Sequence, residues 1–268
     1  MYKHLRLAFL FLCVQALVPS LHAQGVSMSP TRLFFTGNPG EEVKQTVVIH
    51  NGSDNNYIFN INVQDWNRTE DGTKIYFAPS TLKNSNAAWI STLERSINLP
   101  SKTTQEVVVT MRIPADGTAS MSTNSMLFFT QIGTQTDAPK LSKGIGIIAL
   151  FEFGLHIYYT PLNSPKVSLE IKSIETVLNR EEQVQYAHIR LYNDGNGVND
   201  ASIDLELTNK NSGEEVKLPP VNLSMMPGTY QTILIKLPTE LKGPHLGVFI
   251  IKMAGSNDLV VGEKSFEF

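Results

Sequence analysis

The chain has 268 residues, 41% of them hydrophobic and 18% charged, with a formal net charge of -3 and a single cysteine. That length suits two ordinary domains, each able to bury its own core. The mild acidity, with no basic run along the chain, excludes nucleic acid as a partner, and one cysteine excludes a disulfide framework.

Residues 1–23 are predicted to be a secretory signal: Lys3 and Arg6 precede an apolar run over 7–18, and Ala23 offers a small residue at the cleavage point. The run is shorter than the ~20 residues a spanning helix needs, so no membrane insertion is expected after its removal. Cys13 lies inside this segment. The mature chain is therefore expected to hold together by packing alone in an oxidising compartment.

Strand patterns follow at 26–35, 43–51, 57–66, 74–77, 105–113 and 125–132, each alternating and each bounded by turn chemistry. Asn38-Pro39-Gly40 ends the first, Gly52 to Asn56 the second, and Asp71-Gly72 closes a hairpin between 57–66 and 74–77. Trp89 and Ile90 open an irregular, partly buried patch. The long strand 144–161 differs from the others because both its faces are apolar. Ile147, Ala149, Phe151, Phe153, Leu155 and Ile157 line one face, and Ile148, Leu150 and Tyr158 the other. Such a strand is buried deep in its domain, buried in a parallel sheet, or held ready for another chain. With no crossover helices to build a parallel sheet, and a linker at 162–165 directly behind it, the expectation is an edge strand with a spare apolar face. Beyond the linker, strands are predicted at 167–175, 183–193, 203–209, 229–237, 247–253 and 259–268. The fold class is all-β: two tandem immunoglobulin-like β-sandwich domains, 24–161 and 166–268, after the signal peptide.

Enzyme signatures are missing. His50, His156, His188 and His245 have no metal-ligand spacing, and no nucleophile elbow, phosphate loop or dinucleotide fingerprint occurs, so neither catalysis nor a cofactor is expected. Asp65 with Glu70 or Asp71 reads as turn chemistry rather than a catalytic carboxylate pair. The glycosylation patterns at Asn51, Asn67 and Asn222 read as turns, and Trp66 and Trp89 as core packing rather than ligand platforms.

The first strand with SPTRLFF, the Pro-Gly turn, the VVIHNGSDNNY strand and turn, and the long strand closing in IYYTP before a second strand-rich domain together resemble the periplasmic chaperones of fimbrial (pilus) assembly. The resemblance covers most of the mature chain. It implies a protein that lends the last strand of its first domain to an incomplete pilus subunit, with Ile147, Ala149, Phe151 and Phe153 as the donated side chains. It also implies that two basic residues hold the subunit's C-terminal carboxylate in the cleft between domains. Arg32 matches the first; the second falls on His156, and Thr160 replaces the closing arginine. A histidine with a reference pKa near ~6.5 is mostly neutral at pH 7 unless the anion raises it, so strand donation is better supported here than carboxylate anchoring. The implied partners are secreted pilus- or fimbrial-type subunits and an outer-membrane usher, with self-association through 144–159 as a further expectation. The implied location is the periplasm. The alternative is a cell-surface structural, adhesion or cell-wall-binding protein in which the same strand is buried or pairs with a copy of itself.

Overall fold

Where one strand is predicted over 26–35, two short ones form: β1 (Val26–Ser29) and β2 (Arg32–Phe35). Pro30 separates them, after a cis Ser29–Pro30 bond, and having no N–H to give to a ladder it marks the point where the chain leaves one sheet for the other. In this computed structural model residues 25–116, 120–133, 150–162 and 166–268 are described. The signal segment, with Ile147 and Ala149, lies outside them.

The strands β3 (Glu42–Asn51), β4 (Tyr57–Arg68), β5 (Lys74–Phe77), β6 (Ile90–Thr92), β7 (Ser96–Leu99), β8 (Thr104–Arg112), β9 (Thr123–Gln131) and β10 (Glu152–Tyr159) complete the first half. One sheet runs β1-β3-β8-β6, the other β2-β10-β9-β4-β5, with β7 also on β4. The irregular patch expected at Trp89 is a single 3-10 turn, Ala87–Trp89, leading straight into β6. Alternation explains the packing between the sheets: Leu33 and Phe35 of β2, Val47 and Ile49 of β3, and Leu155, Ile157 and Tyr159 of β10 all point into one core.

The second half holds β11 (Glu170–Asn179), β12 (Val184–Tyr192), β13 (Asn199–Asn209), β14 (Glu215–Lys217), β15 (Val221–Met225), β16 (Tyr230–Lys236), β17 (Pro244–Met253) and β18 (Leu259–Glu267). They form sheets β11-β12-β16 and β14-β13-β17-β18, with β15 on β13, around a second core that includes Ile189, Leu205, Phe249 and Ile251. No strand is predicted at β14 or β15; both are short and flanked by prolines at 219–220 and Pro227, which mask the pattern. Among the described residues no helix is long and apolar enough to cross a membrane.

Two expectations are corrected. β10 is not an edge strand along its whole length: over His156–Tyr159 it pairs with β9 on one side and, in parallel, with β2 on the other. A parallel pair normally needs a helix as its crossover, but here nearly the entire first half supplies the connection. The glycosylation patterns at Asn67 and Asn222 lie inside β4 and β15, not in turns. Asn51, by contrast, does organise a turn. It is fully buried, donates through Nδ2 to the carbonyls of Asn55, Leu99 and Pro100, and accepts from the Ser53 N–H and hydroxyl. Asp65 is also fully buried, accepting from the N–H groups of Ser80, Thr81 and Leu82 and from the Ser85 hydroxyl. It ties down the loop after β5, in keeping with turn chemistry rather than catalysis.

Candidate functional site

The two apolar faces of β10 go to different places. Odd-numbered residues enter the first core, while Tyr158 joins Trp66, Met126 and Phe128 in a separate cluster closed from the second half by Met226 and Val198. Gly154 makes room on this face, because a Cβ there would lie 2.9 Å from the Met126 sulfur. Phe34 of β2, about half exposed, stacks on Tyr158 at 5.4 Å. The face that points away from the first core is therefore an aromatic floor and not a bare strand.

The halves also border an open cleft of about 610 Å³, lined by Arg32 and Arg68 from the first and by Asp200, Asn222, Gln231 and Lys252, among others, from the second. The parallel register sets Arg32 directly beside His156. Arg32 also donates through Nη1 to Asp200 Oδ2 at 3.4 Å, a half-exposed contact that leaves most of its guanidinium free. His156 lies edge-on to Trp66 at 4.8 Å and parallel to Tyr158 at 6.0 Å. Burial, aided by the positive charges of Lys74, Arg32 and Arg68, depresses its pKa to about 4. The ring is neutral at physiological pH, so it does not supply the second positive charge that the resemblance asks of its position. Burial likewise pushes the Tyr158 hydroxyl up to about 12.

The positive charges sit elsewhere. Arg68 and Lys74 face each other across the β4–β5 hairpin, whose turn Gly72 closes with a φ of 86°. Both lie over the Trp66 ring, Arg68 at 5.6 Å and Lys74 at 5.8 Å. Lys74 is held below its ordinary pKa by burial and then by Arg68 and Arg32. The strand expected over 57–66 stops short of Arg68, so its pairing with Lys74 comes from the observed register, and their approach to Arg32 from sheet order, neither of which the local pattern carries.

The same hairpin reaches the second half. Arg190 donates from Nε and Nη2 to the two carboxylate oxygens of Glu70, at 3.0 and 2.8 Å, and the Thr232 N–H donates to the Glu70 carbonyl at 2.6 Å. Arg190 holds the Glu70 carboxyl below the usual carboxylate range. Thr160, standing where the resemblance expects an arginine, accepts from the Ser122 hydroxyl at 3.3 Å and donates its N–H to the Phe35 carbonyl at 2.9 Å, and the Ser122 N–H reaches the Asn196 carbonyl at 3.0 Å.

Of the donated-strand residues, Phe151 and Phe153 are described. Phe153 is partly buried against the first core. Phe151, 36% exposed just before β10, meets Tyr57 edge-on at 5.6 Å and stacks with Phe153 at 6.0 Å. The backbone of Phe151 is tied to Gln131, whose N–H donates to its carbonyl at 2.8 Å. Glu152 is exposed and accepts from the Thr130 hydroxyl at 2.9 Å.

No protein-family model matches the chain, and no curated protein sequence does. Among solved structures it is similar to the class 5 fimbriae chaperone CfaA, with a TM-score of 0.53 and 14% identity over 90% of this chain and 99% of that one. The fold is thus that of a two-domain, immunoglobulin-like fimbrial chaperone. A chaperone–tip adhesin complex of CFA/I fimbriae biogenesis has a TM-score of 0.48 and 13% identity over 90% of this chain and 98% of its own. The CsuC–CsuE chaperone–tip adhesion subunit complex of archaic Csu pili from Acinetobacter baumannii has a TM-score of 0.47 and 12% identity over 89% and 97%.

Proposed function

We propose that this protein is a periplasmic chaperone that binds secreted, pilus-type subunits by adding a strand to them, assists their folding, and passes them to an outer-membrane usher. The observation that carries the reading is the half-open edge of β10. Among the described residues, β2 covers only His156–Tyr159, and Glu152–Leu155 pairs with β9 alone, with no other described strand along its second edge. An incoming strand is offered backbone hydrogen bonds there, and the side chains of Phe151 and Phe153 stand at the start of that edge. Residues 147 and 149 extend the same alternation toward the chain that precedes β10. The mechanism needs no cofactor. Backbone bonds supply general affinity, and apolar side chains select a groove of matching shape.

Phe151→Glu places a charge at this edge while leaving the residues of the first core in place. The expected outcome is loss of a co-expressed pilin-type subunit from pull-down, with the variant's unfolding midpoint within about 0.5 kcal/mol of the parent, as for most surface changes. Capture at the parent level overturns the reading. Idle self-association through the same edge is part of the proposal and disappears in the same variant on size-exclusion chromatography.

A further inference from the structure

β6 runs beside β8 only as far as the Thr92–Val109 pair. There the chain leaves this sheet. The Thr92 hydroxyl donates to the Glu94 carbonyl at 2.8 Å, the Ile61 N–H of β4 donates to the Arg95 carbonyl at 2.8 Å, and β7 continues on β4 in the opposite sheet. β8 itself stays paired to β3 through the pair of Thr104 with His50. Among the described residues no strand pairs with the other side of Thr104–Val108, so every second residue of that stretch turns its N–H and C=O out of the sheet. The opening is a groove of about 280 Å³. Ile97 of β7 and Val107 of β8, both members of the first core, line its buried part, and Gln105 spans it by donating through Nε2 to the Asn98 carbonyl at 2.7 Å. Its rim holds Val108, 44% exposed, and Leu93, 94% exposed in the β6–β7 loop, together with Glu94 and Glu106. Among the described residues neither carboxylate has an ion pair, and no basic side chain lines the groove. A lone exposed leucine is ordinary, but here it borders an unpaired ladder, an apolar floor and a rim of one sign.

We propose that the open edge of β8 is a second strand-addition site, which takes an extended segment of a partner protein in which apolar residues alternate with lysine or arginine. A segment of about five residues, at ~3.3 Å each, pairs along Thr104–Val108. Its apolar side chains enter between Ile97 and Val107, and its basic ones lie on the outer face beside Glu106 and Glu94. A second copy of this chain is the poorer occupant. Antiparallel pairing of two copies over Thr104–Val108 sets Glu106 opposite Glu106, and like charges directly opposite each other oppose pairing. The site does not rest on the chaperone reading. β8 belongs to the sheet β1-β3-β8-β6 and β10 to the other sheet, so both edges can be occupied at once.

The test uses the full chain and three acetylated, amidated peptides of about seven residues, long enough to span Thr104–Val108. One alternates valine with lysine, one alternates valine with glutamate, and the third is the lysine peptide with every backbone nitrogen methylated. Binding is followed by amide NMR at low salt. The lysine peptide is expected to shift the amides of residues 104–108 and to leave those of 152–155 in place. The glutamate and methylated peptides should bind roughly tenfold weaker or worse, the first through charge and the second through the lost ladder. Glu94→Lys with Glu106→Lys changes two exposed side chains and no core residue, and should invert the preference toward the glutamate peptide. Phe151→Glu should leave binding of the lysine peptide unaltered. Equal binding of the methylated peptide, a preference kept after charge reversal, shifts confined to β10, or no binding of any peptide by the parent overturns the proposal. Concentration-dependent shifts at 104–108 without peptide would make the occupant a second copy, and overturn it likewise.

Discussion

His156 illustrates how a residue's neighbours override its type. Its ring is packed between Trp66 and Tyr158, and the charges facing it are Arg32 from β2, Arg68 from β4 and Lys74 from β5, with Asp200 behind Arg32. All three cations oppose protonation; only the hydrogen bond to Thr31 works the other way. The folded pKa of about 4 lies below the unfolded value near ~6.5, so between these two the unfolded chain binds the proton more readily. Stability is therefore full above about pH 6.5 and declines as pH falls toward 4. Comparing denaturant unfolding of the parent with His156→Gln isolates this group from the carboxylates that titrate nearby. The parent should lose stability relative to the variant on acidification, with a slope below the ~1.4 kcal/mol per pH unit of one full proton, because the ring keeps partial contact with water. Parallel pH curves for the two proteins would show that His156 does not sense its cationic surroundings.

Within β10 the burden changes along the strand. Leu155, Ile157 and Tyr159 are nearly inaccessible to water and flanked by β9, with β2 on the other side from residue 156 onward, whereas Phe151 and Glu152 stand exposed before the pairing to β2 begins. Removing a fully buried aliphatic side chain typically costs about 2–5 kcal/mol, through lost transfer energy and the cavity left behind. Ile157→Ala should lower stability by that amount in urea unfolding, while Phe151→Ala should cost under about 1 kcal/mol, since its ring already meets water and touches only Tyr57 and Phe153 among the aromatic rings. Equal losses would mean that β10 is a core strand throughout and has nothing spare to lend. β9 sharpens the contrast: Leu127 and Phe129 enter the first core while Met126 and Phe128 enter the cleft-side cluster, so the strand apolar on both faces and buried on both is β9.

The relation between the two halves rests on a short set of contacts. Among the described residues they include the Glu70–Arg190 clasp, the Thr232 N–H bond to the Glu70 carbonyl, the Arg32–Asp200 bond, the Ser122–Asn196 backbone bond, and the packing of Met226 and Val198 on Trp66 and Tyr158. Arg190 is further steadied by lying 4.1 Å above the Tyr230 ring. A bidentate pair fixes angle as well as distance, which one contact does not. Glu70→Ala should thus leave both cores folded, with an unchanged far-ultraviolet circular dichroism spectrum, but widen the distribution of angles between the halves in small-angle scattering. An unaltered scattering curve would place the orientation in the apolar contacts alone.

Much of this architecture is local chemistry and can be read along the chain. The period-two alternation that sends Val47 and Ile49 inward, the Asp71-Gly72 hairpin and the asparagine turn at Asn51 depend on residues within a few positions of one another. The apolar strand near Phe151 is legible for the same reason, whereas Arg32 is singled out only by the resemblance to pilus chaperones. What local pattern does not encode is which strands lie side by side. The break at Pro30, the parallel pairing of β2 with β10, and the meeting of Arg32, Arg68 and Lys74 around His156 join residues far apart in sequence, and they follow from sheet order and the packing of two cores. The linear chain therefore specified most of the longer strands and several of the turns between them. The packed molecule assigned the charges: it buried the histidine that stands in the expected position and set around it Arg32 and two cations of a hairpin, because electrostatics act through space and not along the backbone.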